Sequence, residues 1–209
     1  MINVLLITFA ITLVYLGIAN RMSTFIKILV FHGCLLFGVS IIELTEINTL
    51  NLIFILLETI IFKTIAVPLF LNYLIKKHNI TREVEPYLPY FISLVIVTTI
   101  IIATFLLSNT IDDPHLNKIY FVVAFSALFT GLYIIITRRK IITHVMGFLV
   151  VENGVFILSL AVGNTMHMMV NIGILLDFFV SFLVLGIFVN KIKDVFKDPD
   201  VQTLSQIRD

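Results

Sequence analysis

Four ionisable side chains stand inside long apolar runs of this sequence: Glu58 and Lys63 in one, Glu152 in another and Asp177 in a third. In "THVMGFLVVENGVFILSLAV", residues 143–162, Glu152 and Asn153 interrupt an otherwise nearly continuous apolar stretch. A charge at the centre of a bilayer costs on the order of 3 kcal/mol on insertion scales, so such groups should face protein or water rather than lipid. The chemistry open to them is proton exchange. Burial favours a neutral acid and an adjacent ammonium favours the carboxylate, so moving one charge can hand the preference for a proton to the next site. The competing use is a polar staple between helices, which suffices for any one of these residues alone. Four in one small chain favour exchange.

Helical spacing decides what each can reach. The three- and four-residue neighbours of Glu152 are Phe148, Leu149, Val155 and Phe156, none able to neutralise it, so its partner must come from another helix or from water. Gly147, Gly154 and Ala161, seven apart, form a small-residue strip on the opposite side, suited to close packing, so this helix should meet protein on two faces. Asp177 has Gly173 and Ser181 four residues either side, a small polar stripe that could admit ordered water. Glu58 and Lys63 are five apart, about 140° around an α-helix, and should seek different partners. Pro68 removes the backbone hydrogen bond to the Thr64 carbonyl, which predicts a kink beside Lys63.

His32, near one helix end, reads as an interhelical hydrogen-bond donor rather than a relay member, and His144 and His167 lie near the interfaces. The histidines lack the i, i+4 metal pattern, so no metal site is assigned. One cysteine, Cys34, can neither close an internal disulfide nor hold an iron–sulfur cluster, so no cofactor is expected in this chain.

The elements that must position these residues are membrane helices. Of the 209 residues, 59% are hydrophobic and 13% charged, and the mean hydropathy is +1.10, far too apolar for a soluble domain of this length. The net charge is only +1, with no Gly-rich phosphate loop and no basic run longer than "RRK", so nucleic acid and nucleotide are not expected partners, whereas lipid is. Crossing about 30 Å of hydrocarbon takes roughly 20 residues. Seven such runs are present: Asn3 to Ala19, Thr24 to Leu44, Leu50 to Ile75, Leu88 to Leu107, Asn117 to Thr137, Ile141 to Val162 and His167 to Lys191. The expected fold is all-α with seven transmembrane helices. The first run has no basic region before it and a basic residue after it, which reads as a retained helix rather than a cleaved signal. Arg21 and Lys27, then Lys76, Lys77 and Arg82, then Arg138 to Lys140, and finally Lys191 and Lys193 alternate with Glu43 and Glu46 and with Asp112 and Asp113. By the positive-inside rule the N-terminus is outside and the C-terminus cytoplasmic. Glu152 lies about 18 Å from Lys140 and Asp177 about 21 Å from Lys191, so both sit near mid-depth. The short "GNT" turn between their helices makes those helices neighbours.

The run "IITHVMGFLVVENGVFILSLAV", then "GILLDFFVSFLVLGIFVNKIK" and the ending "DPDVQTLSQIRD", resembles the hydrogenase-4 component E family. "FKTIAVPLF" is similar to the same family in its lysine and in the proline five residues on. The last three helices also resemble the K subunit of respiratory complex I and the C subunit of Mrp-type sodium/proton antiporters. The resemblance spans nearly the whole chain and is most specific from Arg138 to Asp209. It implies an N-terminal four-helix region over 1–116, a K-subunit-like three-helix region over 117–191 and a cytoplasmic tail over 192–209.

In the complex I subunit, two membrane carboxylates belong to the hydrated path that couples redox chemistry to proton movement. The resemblance places Glu152 on the first and Asp177 on the second, shortened from glutamate, which makes an intervening water the expected link. Lys63 carries over from the hydrogenase family, whereas Glu58 is a relay candidate from its position alone. The implied protein is a non-catalytic membrane-arm subunit of a group 4 [NiFe]-hydrogenase-like complex in the inner (cytoplasmic) membrane. Antiporter-like and quinone-site-like anchoring subunits would be its neighbours, and peripheral hydrogenase subunits would join through the complex. Two other readings fit the same residues: a subunit of a cation/proton antiporter or inorganic-carbon uptake complex, and a structural scaffold whose carboxylates are staples.

Overall fold

A computed structural model describes residues 1–43, 53, 56–77, 87–111 and 116–161. The expected helix from His167 to Lys191, with Asp177 in it, and the tail over 192–209 lie outside these residues. So do Glu46, Arg82, Asp112 and Asp113.

The described chain is almost entirely helical. With no water in hydrocarbon to satisfy backbone groups, a helix satisfies them within one segment. Helix α1 runs Ile2–Ile18 and α2 Met22–Glu43. A π-helical segment, π1, covers Leu56–Ala66 and passes directly into α3, Val67–Lys77. Then follow α4, Tyr90–Thr110, α5, Lys118–Thr137, and α6, Ile141–Ala161. Four of these (α2, α4, α5 and α6) are long and apolar enough to cross a membrane, and α1 and the stretch Thr59–Tyr73 are shorter apolar helices. Hydroxyls within the apolar helices bond to the carbonyl three or four residues back, as Thr8 does to Val4, Thr98 to Leu94 and Ser159 to Phe156.

Helix α1 shows the packing rule: Leu6, Phe9, Leu13 and Leu16 are buried, while Val4, Ile7, Ile11 and Tyr15 are exposed. The outward face is as apolar as the inward one, which suits a helix with protein on one side and lipid on the other. Successive helices run in opposite directions. One end of the bundle collects the α1–α2 turn, the start of α4 and the α5–α6 turn, through Tyr90 bonding to Asn20 and the Tyr87 amide to the Thr137 carbonyl at 2.9 Å. The other end joins Tyr120 to Glu43 at 2.8 Å and the Asn117 amide to the Ala161 carbonyl at 3.3 Å. Arg21 and the Arg138–Lys140 turn thus share an end, as the alternating charge requires.

Helices α5 and α6 form a hairpin whose backbones touch. A Cβ on Gly131 would lie 2.7 Å from the Gly147 carbonyl oxygen, and one on Gly154 would lie 2.9 Å from the Ala124 carbonyl oxygen. The small-residue strip read from Gly147, Gly154 and Ala161 is therefore the face that meets α5. Helix α4 joins α5 through two buried hydroxyl pairs, Tyr133 to Ser93 at 2.7 Å and Thr104 with Ser126 at 2.8 Å.

Candidate functional site

The face of α6 opposite the glycine strip carries Glu152, and π1 delivers its partner. Lys63 Nζ stands 3.3 Å from Glu152 Oε1, with the two side chains only 5% and 9% exposed. The same ammonium lies 4.7 Å from the centre of the Phe156 ring, one turn further along α6. Nothing on its own helix can neutralise Glu152, and the cation does come from another helix. Sequence spacing predicted that need but not which helix would meet it.

The segment that carries Lys63 to this position is π-helical rather than α-helical. Eleven residues of π winding, Leu56–Ala66, end just before Pro68, beside which the sequence predicts a kink. The Pro68 ring would crowd the Thr64 carbonyl four residues back, and a wider turn relieves that contact. The Thr64 hydroxyl bonds to the Thr59 carbonyl, five residues back, at 2.8 Å, in step with the π repeat. This corrects the angular reading of Glu58 and Lys63. The 140° separation assumed an α-helix, whereas in an i→i+5 helix residues five apart are about one turn apart. Glu58 lies on π1 through its backbone; its side chain, like all of Asp177, is outside the described residues.

Helix α2 approaches π1 closely enough that only glycine fits at position 33. A Cβ there would collide with the Thr64 hydroxyl oxygen and lie 3.1 Å from the Thr64 backbone nitrogen. Beside the ion pair, a cavity of about 10 Å³ is bounded by Leu29, Lys63, Val67, Leu149, Glu152 and Asn153. That is on the order of one water position, and three of its walls are polar. Asn153 is buried at 4% exposure, and its amide makes this corner wettable. Its adjacency to Glu152 was visible in the sequence, but its direction was not. The arrangement sets a buried ammonium against a buried carboxylate, with room beside them for one water.

Both histidines among the described residues have structural partners. His32 is fully buried, stacked on Phe9 with ring centres 3.9 Å apart, and its Nε2 is 2.7 Å from the Thr12 hydroxyl. That hydroxyl already donates to the Phe9 carbonyl, so His32 Nε2 is the donor, joining α2 to α1. His144 Nε2 lies 2.7 Å from the Arg138 carbonyl, which can only accept. His167 lies outside the described residues.

Arg138 is the residue sequence reasoning missed. Counted with the loop charges, it instead points inward, 1% exposed, and its Nη2 donates to the Gly17 carbonyl at 2.7 Å in the last turn of α1. Its guanidinium lies 5.7 Å from the Phe25 ring centre. Burial lowers its pKa from the ordinary value, with Tyr133 and Tyr90 opposing the shift, but arginine stays charged in proteins. Arg139 lies over Tyr87 at 4.7 Å. The orphan carbonyls at a helix C-terminus attract such cations, though no sequence pattern says which carbonyl is within reach.

No family model and no solved structure matches this chain. Among curated proteins it is similar to the uncharacterized protein Rv0085 of Mycobacterium tuberculosis (strain ATCC 25618 / H37Rv), 23% identical over 130 residues. The match covers 61% of this chain and 59% of that protein.

Proposed function

We propose that this chain is a non-catalytic, seven-span subunit in the membrane arm of a group 4 [NiFe]-hydrogenase-like complex. In this reading Glu152, Lys63 and Asp177 pass protons along a lateral path in the inner membrane. The observation that carries it is the Lys63–Glu152 ion pair, buried among apolar helices and bordering a one-water cavity. A charge arriving at one side of the pair changes whether Lys63 or Glu152 holds the proton, and the proton moves on. Glu58, about one π turn from Lys63, extends the path on that side, and Asp177 continues it on the other. Redox centres belong to partner subunits, with antiporter-like and quinone-site-like anchoring subunits alongside. The N-terminus is outside and the C-terminus cytoplasmic.

The direct contact between the two charges also favours the staple reading, and a compensated pair of variants separates the two. Removing one partner alone strands the other charge, so Glu152→Gln and Lys63→Met confound stability with transport. In Lys63→Met/Glu152→Leu both charges leave together. If the pair relays protons, this double variant assembles normally while proton uptake in membrane vesicles is lost; a staple predicts that both survive. Hydrogen oxidation with an artificial electron carrier persists in either case. Recovery of hydrogenase subunits with the tagged chain separates the redox-driven complex from an antiporter or carbon-uptake complex.

A further inference from the structure

Asn153 is buried, and its side-chain amide makes no hydrogen bond among the described residues. Hydroxyls of the surrounding helices behave otherwise. Thr12 and Thr104 each bond to a carbonyl three residues back and also meet a side chain of the next helix, His32 and Ser126. An interhelical staple needs such a partner, and Asn153 has none there. A buried amide left without hydrogen bonds is costly, so its carbonyl and its NH2 group call for a polar occupant beside them. The side chain borders the cavity of about 10 Å³ next to Lys63 and Glu152, whose remaining walls, Leu29, Val67 and Leu149, are apolar. A buried water needs about that much room and about two to four polar partners. Three stand around this cavity: an ammonium, a carboxylate and an amide. The volume admits one water and no chain of them.

Distance gives that water a task. Lys63 Nζ and Glu152 Oε1 are 3.3 Å apart, longer than the roughly 2.7–2.9 Å of a charge-assisted N–H···O bond. Two short hydrogen bonds through one water carry a proton better than one long contact. We infer that Asn153 positions one water against Lys63 and Glu152, and that the proton passes between the two through this water. The water accepts hydrogen bonds from the Asn153 NH2 group and from the ammonium, and it donates to the carboxylate. In the transfer a Lys63 N–H bond breaks as a water O–H bond forms, and another O–H bond of the water breaks as a Glu152 O–H bond forms. The oxygen stays in place and no electron changes hands. Asn153 does not titrate, so it is a positioning residue. The inference rests on the proton reading of the ion pair and adds the route to it.

The test pairs X-ray hydroxyl-radical footprinting with proton uptake, both in native membranes with the assembly intact. X-ray pulses split a bound water into radicals that oxidise the nearest side chains, and mass spectrometry locates the added oxygen. Leu149 lines the cavity and Leu35 does not, yet both are 7% exposed. Leu149 should therefore be oxidised several-fold faster than Leu35. Asn153→Leu should bring Leu149 down to the rate of Leu35 and slow proton uptake several-fold, with subunit recovery unchanged. Asn153→Ser, which keeps a donor and an acceptor, should retain the excess oxidation and most of the uptake. Equal oxidation of Leu149 and Leu35 in the parent would overturn the inference, as would excess oxidation that persists in Asn153→Leu. So would uptake in Asn153→Leu at the parental rate. Uptake surviving in Lys63→Met/Glu152→Leu is a separate result: it removes the proton reading, and this route with it, whatever the oxidation pattern.

Discussion

Replacing Lys63 by methionine keeps most of the apolar stem but removes the ammonium that lies 4.7 Å from the centre of the Phe156 ring and 3.3 Å from Glu152. At that distance and an effective dielectric constant of about 20, the Coulombic attraction lost is about 5 kcal/mol. Both side chains are largely buried, so little solvent screening reduces it. Glu152 recovers part of the loss by taking up a proton, which brings the expected destabilisation to about 3 kcal/mol, within the range for breaking a buried pair. Glu152→Leu alone should cost a similar amount by stranding the ammonium. Lys63→Met/Glu152→Leu should come within about 1 kcal/mol of the parent, because the desolvation penalty disappears with the attraction. The resulting coupling energy of about 5 kcal/mol is readable from reversible unfolding of the four proteins in mixed detergent micelles. Additive single effects, with coupling below about 0.5 kcal/mol, would mean that the two groups are independently solvated and would refute the reasoning.

Gly131→Val should part the α5–α6 hairpin and cost at least about 1–3 kcal/mol, because its Cβ would meet the backbone of Gly147 and Val151. Gly38→Ala, which would meet only the Leu5 side chain at 3.2 Å, should be tolerated in the same thermal-stability assay. Arg138→Met should cost about 1.5–3 kcal/mol by removing the charged bond to the Gly17 carbonyl, and trypsin should then cut faster after Arg21. An unchanged cleavage rate would show that α1 is anchored elsewhere. Asp177→Asn should lower proton uptake without loss of assembly, and Asp177→Glu should retain it. Cysteine labels at Asp112 should react from outside and those at Lys76 or Arg139 only from the cytoplasm; the reverse at Asp112 would overturn the seven-span topology.

The sequence made the need for a partner at Glu152 legible, because no helical neighbour could neutralise it. It also exposed the close-packing face, since Gly147 and Gly154 repeat at helical spacing. The choice of Lys63 was not legible, because periodicity places residues on faces without saying which faces meet. The winding of Leu56–Ala66 was hidden for a related reason. Every angular estimate assumes 3.6 residues per turn, and a π segment breaks that assumption without an unusual composition. Arg138 was misplaced because a charge beside a turn reads as solvated, and only the fold shows that a carbonyl of α1 lies beneath it.

The π winding also makes chain length a determinant of the site. A π turn takes up more residues than an α turn, so π1 is a local surplus in the count of amino acids. Deleting one residue between Thr64 and Val67 would give back part of that surplus and let the helix tighten. Everything before the deletion would then turn by about 100° relative to α3, swinging Lys63 off the face that meets Glu152. No side chain of the pair would have changed. For this stretch, insertions and deletions are as consequential as substitutions at the charged residues themselves.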